Sequence, residues 1–206
     1  DGKQFDVPAD KVLLSIGRRA STKDMGLENI GVEMNRGVIV VDEQGRTNVE
    51  GVFAAGDCIG KVMLAHTAYR EAEVAVNTIL GKKDKMRYNA NPSVIYTHPE
   101  VASVGLTEEE AQAKGIDYEV HKLSMRYAGR FVAENEGEDG ICKILVGKEH
   151  RNILGVHMLG NSSSEAIWGA ALMIEQELRV KDVKEIIFPH PTVSEIIRET
   201  IWEFKD

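Results

Sequence analysis

An α/β segment followed by an α+β domain is the fold class that this 206-residue sequence predicts. Three observations carry it. Two apolar runs, residues 11–16 and 51–55, stop at Gly17 and Gly56 and read as buried strands. A long helix signal over 64–80 follows the second run, as in a strand–helix unit. Beyond a charged stretch and an Asn/Pro loop at 82–92, short β-branched runs mix with helices outside any βαβ rhythm.

Taken in order, Lys11-Val12-Leu13-Leu14-Ser15-Ile16 is the first strand and ends in Gly17-Arg18-Arg19. A linker with Gly26, Asn29 and Gly31 leads to a short strand at 38–41, and Asp42-Glu43-Gln44-Gly45 is turn chemistry. The strand at 51–55 comes next. The helix over 64–80 contains strong formers (Ala65, Ala68, Glu71, Ala72, Glu73, Ala75), and Gly81 suits the position just past its end. Its stripe Ala68, Ala72, Val76 and Ile79 is expected to pack on the sheet. In the second half the runs 93–96, 102–106, 118–124, 141–146 and 153–159 read as strands. Thr107 followed by Glu110 is a capping-box signal for a helix over 108–114, closed by Gly115. Ser162-Ser163-Ser164-Glu165 opens a helix through Trp168, Leu172, Ile174 and Leu178, and Thr192 or Ser194 can cap a final helix from Glu195. Trp168 and Trp202 are expected as core or interface anchors.

Composition narrows the function classes. A net charge of −8 argues against nucleic acid or an anionic membrane as partner, since both need a basic face. No apolar run approaches the roughly 20 residues that span a bilayer. Cys58 and Cys142 form neither a redox Cys-x-x-Cys nor a zinc knuckle and read as small buried hydrophobes. A reducing, cytoplasmic setting is expected. His98, His121, His150 and His157 lack metal-spaced partners and read as structural. Arg126-Tyr127 and Arg130-Phe131 are expected to pack rather than bind bases.

Two stretches carry chemistry. In Phe188-Pro189-His190-Pro191-Thr192-Val193-Ser194-Glu195 an imidazole sits between two prolines, which restrict its backbone, and a carboxylate follows at the start of a helix. Glu195 is placed to hold one ring nitrogen and so set His190 as a general base. In Thr47-Asn48-Val49-Glu50-Gly51-Val52-Phe53-Ala54-Ala55-Gly56-Asp57 a strand end delivers Gly56, which admits close approach of a ligand, and Asp57, an acceptor for a sugar hydroxyl. Met63-Leu64-Ala65-His66 then opens the long helix and offers free backbone N–H groups to an electron-rich carbonyl edge or an anion.

Residues 47–57 resemble the second flavin-binding motif of the pyridine nucleotide–disulfide oxidoreductases, and His190-Pro191-Thr192-x-Ser194-Glu195 resembles that family's C-terminal dimerisation signature. Met63-Leu64-Ala65-His66 and Ser15-Ile16-Gly17-Arg18-Arg19 are similar to its dihydrolipoamide dehydrogenase branch, and 93–106, with Thr97-His98-Pro99-Glu100, resembles the start of the same dimerisation domain. The resemblance implies the end of an NAD-binding domain at 1–20, a C-terminal segment of a Rossmann-like FAD-binding domain at 21–90, and an α+β dimerisation domain at 91–206. It implies FAD and NAD as cofactors, with Gly56 and Asp57 at the ribityl or ribose portion of FAD, Met63, Leu64, Ala65 and His66 at the pyrimidine edge, and Gly17 near the nicotinamide. It further implies His190 as proton acceptor for dihydrolipoamide thiols, oriented by Glu195 and serving the flavin of the other subunit of a homodimer.

The implied partner beyond the homodimer is a lipoyl-bearing protein of a 2-oxo acid dehydrogenase or glycine cleavage system. The sequence holds no G-x-G-x-x-G and no close cysteine pair. In the family those parts precede the segment matched here, so the chain is expected to be a C-terminal part that is not catalytically complete alone. A glutathione reductase-like substrate, or a purely assembling module that binds no flavin, are the competing readings.

Overall fold

The computed structural model describes residues 2–205. Asp1 and Asp206, the outer ends of the first and last expected segments, lie outside the described residues. The chain divides into two compact units between Met86 and Arg87.

In the first unit the expected strand at 11–16 does not form: residues 2–20 hold no helix or strand, and Leu13 and Ile16 are 91% and 88% exposed. A strand exists only when a neighbour takes up its backbone groups. Among the described residues none pairs with this run. A 3-10 turn, Leu27–Ile30, lies between Gly26 and Gly31, both left-handed. Next, β1 (Met34–Asn35) and β2 (Val38–Ile39) form a small antiparallel hairpin. Arg36 and Gly37 both have positive φ at its turn, the mirror-type geometry that suits the twist of a hairpin. The expected strand at 38–41 is thus two residues long, although Val40 N–H still reaches Glu33 O. Asp42 behaves as turn chemistry requires, with Oδ1 accepting from the N–H groups of Gln44 and Arg46. The expected strand at 51–55 is reduced to one bridge, Phe53 with Arg46.

A small core of Val32, Ile39 and Ile59, flanked by Leu27, Val41, Val49, Val52, Ala54 and Cys58, holds these turns together. Helix α1 (Ala65–Ile79) ends as its sequence foretells: Gly81 is left-handed, and Lys82 N–H reaches back to Asn77 O at 2.8 Å, a Schellman closure. The buried face differs from the expected one. It is Thr67, Glu71, Val74 and Ala75, whereas Val76 and Ile79 are exposed. What a helix buries is decided by its neighbour. Here that neighbour is the segment around Gly45 and Gly56, which approach Ala75 and Ala68.

The second unit is built on one antiparallel sheet. Its strands are β3 (Ser93–Ile95), β4 (Val101–Gly105), β5 (Tyr118–Ser124), β6 (Ile141–Gly147) and β7 (Ile153–Leu159), in spatial order β3-β4-β7-β6-β5. All five lie within a residue or two of the expected runs. Helix α2 (Glu108–Ala113) carries the anticipated capping box, with Thr107 Oγ1 accepting from Glu110 N–H and the Glu110 carboxylate accepting from Thr107 N–H. Helix α3 (Gly129–Glu134) buries Phe131 fully.

Strand alternation puts Ala102, Val104, Cys142, Ile144, Val146, Val156 and Met158 on one face. Two helices cover that face: α4 (Ser163–Glu175) over β4 and β7, and α6 (Glu195–Trp202) over β5 and β6, with the short α5 (Val180–Lys184) beside α6. Gly105 and Gly155 face each other where β4 meets β7, and a side-chain carbon at Gly155 would strike the Leu106 carbonyl. Trp168 and Trp202 are 66% and 50% exposed, so neither is a core residue of this chain. No helix among the described residues is long and apolar enough to cross a membrane.

Candidate functional site

The segment before α6 folds into a tight turn around one carboxylate. The His190–Pro191 peptide is cis, as is His98–Pro99. Glu195 Oε2 accepts from Thr192 N–H at 2.8 Å, and Thr192 Oγ1 donates to Pro189 O at 2.8 Å. Ser194, one of the two expected candidates, is the N-cap residue, but it is in helical geometry and its side chain makes no capping bond. Its hydroxyl lies 3.0 Å from Thr192 Oγ1. The acid of the first turn instead ties down the loop that precedes the helix.

The other oxygen, Glu195 Oε1, is 2.9 Å from His190 Nδ1. An ionised carboxylate only accepts, so Nδ1 carries the proton and Nε2 keeps its lone pair. Thr192 N–H foremost, and then the His190 bond, hold the Glu195 carboxyl below its ordinary value against partial desolvation. The ring is 77% exposed while the Glu195 side chain is only 16% exposed. A solvent-facing base therefore stands on a nearly buried support. Beneath it, Val193, Ile196, Ile197, Thr200 and Ile201 are buried, which ties the turn to the main core.

In the first unit Gly56 adopts φ 82°, ψ −158°, a region essentially reserved for glycine. Its N–H donates to Glu71 Oε2 at 2.6 Å, and Glu71 is only 4% exposed. Asp57 is exposed and opens a 3-10 turn, Asp57–Ile59, closed by left-handed Gly60. Met63 and Leu64 are half-buried, and Leu64 is the extended N-cap of α1. Ala65 and His66 are exposed in the first helical turn, which has no side-chain cap. One outward carboxylate beside an uncapped helix start is a donor and acceptor set that fits the hydroxyls and carbonyl edge of a flavin. Gly17 lies in the exposed stretch 2–19, with nothing near the position a side chain would take.

The cysteines are structural, as expected. Cys142 is fully buried in β6, and burial pushes its thiol up to about 12. Cys58 is half-buried and donates to Ala55 O, and burial raises its thiol too. His98 contacts Glu138, and His157 contacts Leu106 O; desolvation lowers the His157 imidazole. No group of three or more His, Cys, Asp or Glu that could hold a metal ion occurs among the described residues. Two roles are not visible in the sequence reading. Thr192 acts through its backbone N–H, which leaves no sequence signal. Glu71 did leave one: it shares helical spacing with Thr67, Val74 and Ala75, and an acid on a buried stripe needs a partner.

Residues 91–201 match the dimerisation domain of pyridine nucleotide-disulphide oxidoreductases, and residues 1–72 match the pyridine nucleotide-disulphide oxidoreductase family. Mitochondrial dihydrolipoyl dehydrogenase of Caenorhabditis elegans is 40% identical over 200 residues, covering 97% of this chain and 40% of that protein. Dihydrolipoyl dehydrogenase of Bacillus subtilis is 38% identical over 199 residues, 96% of this chain and 42% of that protein. The crystal structure of LpdA from Mycobacterium tuberculosis superposes with TM-score 0.86 at 27% identity, covering 93% of this chain and 42% of that one. The HOCl-induced flavoprotein disulfide reductase RclA of Escherichia coli gives 0.82 at 26% identity, with 93% and 44% covered. The chain spans about two fifths of the length of the curated relatives it matches. By these matches, and by a fold that pairs a Rossmann-like part with an α+β dimerisation domain, the chain belongs to the pyridine nucleotide–disulphide oxidoreductase family.

Proposed function

We propose that this chain is the C-terminal part of a dihydrolipoyl dehydrogenase, in which His190 accepts the proton of a dihydrolipoamide thiol. The observation that carries the reading is the His190 Nδ1–Glu195 Oε1 bond of 2.9 Å, on a chain about 40% identical to dihydrolipoyl dehydrogenases. A thiolate, not a thiol, attacks a disulfide. With Nδ1 tied down, Nε2 is the free base that produces it, and the Glu195 carboxylate stabilises the imidazolium that results.

Bound FAD and NAD would supply the two-electron chemistry that carries reducing equivalents from sulfur to nicotinamide. This chain's part is to hold them. Asp57 would accept from a flavin ribityl or ribose hydroxyl. Gly56 would let the cofactor approach, and the backbone from Met63 through Leu64, Ala65 and His66 would meet the pyrimidine edge. Gly17 would lie on the nicotinamide side. Alone, the chain is not expected to complete the reaction.

The same reading includes a homodimer through residues 91–206, each His190 serving its partner's flavin. Support comes from the dimerisation-domain match and from the outer face of α4, where Trp168 and Leu172 stand 66% and 50% exposed. The protein partner would be a lipoyl-bearing protein of a 2-oxo acid dehydrogenase or glycine cleavage system, in a reducing compartment such as the cytoplasm.

The test is His190→Gln in the full-length protein. Dihydrolipoamide oxidation with NAD should slow about 10²- to 10⁴-fold, the usual contribution of a positioned base, while the flavin stays bound. Unchanged turnover refutes the role of His190. Wild-type protein that reduces glutathione disulfide with NADPH and ignores lipoamide would instead move the assignment to the glutathione reductase-like branch.

A further inference from the structure

We infer that Glu71 is a positioning residue for the flavin site: it acts as a hydrogen-bond acceptor that locks the Gly56–Asp57 turn to helix α1. This rests on the reading that Gly56, Asp57 and the start of α1 face a flavin. The two halves of that candidate site come from different local structures. Asp57 follows a loop with almost no strand pairing, and the N–H donors belong to the first turn of a helix. The turn's own backbone bonds, Ile59 N–H to Gly56 O and Gly60 N–H to Asp57 O, are local and do not tie it to the helix.

Glu71 supplies the link. It stands in the second turn of α1, 4% exposed, and takes the Gly56 N–H at 2.6 Å. The bonded residue is the one that needs fixing, because Gly56 is in a conformation that only glycine adopts freely and that an unanchored loop would leave. Burying a carboxylate is unfavourable unless its oxygens are used, so its retention on the packed face of α1 needs a purpose beyond filling space. Glycine offers no side chain to pack, so the backbone N–H is the handle by which this turn is held. Ala68, one turn earlier on the helix, sits against Gly56 and completes the clamp.

Two variants separate reach from charge. Glu71→Asp keeps the charge but is one methylene short of the Gly56 N–H. Glu71→Gln loses the charge but keeps both length and an acceptor oxygen. In the full-length protein, Glu71→Asp should weaken FAD binding about ten- to a hundredfold, the range set by leaving a buried donor unmatched. Glu71→Gln should stay within about threefold of wild type, since a neutral acceptor replaces most of such a bond. Free-flavin fluorescence reads the affinity.

In the 206-residue chain without flavin, amide hydrogen exchange at Gly56 should accelerate in Glu71→Asp and not in Glu71→Gln. Wild-type affinity in Glu71→Asp, or loss in Glu71→Gln alone, overturns the inference in favour of a charge effect or none. A wild-type full-length protein that binds no FAD overturns instead the flavin reading on which it rests, while the Gly56 exchange result still decides whether Glu71 holds the turn.

Discussion

The two units treat their apolar residues in opposite ways. In residues 87–205, strands that alternate in and out lay one face under α4 and α6, so that Ile144, Val156, Ile197 and Ile201 lose all or nearly all contact with water. In residues 2–86 a cluster of Val32, Ile39 and Ile59 anchors a set of turns beside a helix that buries Val74 and Ala75, while Val12, Leu13, Leu14 and Ile16 stand in solvent. The apolar content of the two segments is similar in kind. Pairing is what differs: an antiparallel sheet satisfies its own backbone and so can bury its side chains, whereas an isolated extended run can do neither. The sites inherit the contrast. His190 and Glu195 rest on a continuous core, but the Gly56–Asp57 turn leans on a three-residue cluster through Ile59 and on the Glu71 carboxylate.

The sharpest way to break this comparison is to hollow the support of the first site. Ile197→Ala removes a side chain 1% exposed beneath the His190–Glu195 turn, and should destabilise the second unit by about 2–5 kcal/mol. Denaturant melts followed by hydrogen exchange should show the loss confined to residues 87–205, with the protection of α1 unchanged. A loss spread evenly over both units would mean that they fold as one.

A smaller effect comes from pH. Because the folded Glu195 carboxyl lies below the ordinary 4.5, its contribution is fully present above that value and is lost as pH falls through the lower folded one. The stability difference between wild type and Glu195→Gln should therefore hold steady from neutrality down to about 4.5 and shrink in more acid solution. A difference that persists undiminished in acid would assign the effect to packing.

The smallest change is expected at Leu13. Leu13→Ala should move the melting free energy by no more than about 0.5 kcal/mol, as for an ordinary surface substitution. A cost like that of Ile197→Ala would show that residues 11–16 are buried in solution.

What could be read in the sequence follows the same division. Features whose physics is complete within a few residues were legible: the Thr107–Glu110 capping box, the close of α1 at Gly81, and the reach of Glu195 to His190 across a proline turn. The order of the sheet, with β7 between β4 and β6, depends on pairings between distant residues that no local pattern encodes. The stripe of α1 was misread for a related reason. Ala68, Ala72, Val76 and Ile79 make a plausible apolar line, yet the loop that packs on the helix selects Thr67, Glu71, Val74 and Ala75 instead. A strand was likewise expected at 51–55 because composition alone cannot tell a paired run from one that merely passes a neighbour at Phe53.

Cys142 gives the fold a quieter virtue. Its sulfur is sealed near the start of β6 and stays protonated, with burial lifting it to about 12. Thiol–disulfide exchange proceeds through an accessible thiolate, and a cysteine that is neither ionised nor exposed takes no part in it. Walled off among Ile144, Val156 and Met158, this bystander is insulated from such traffic.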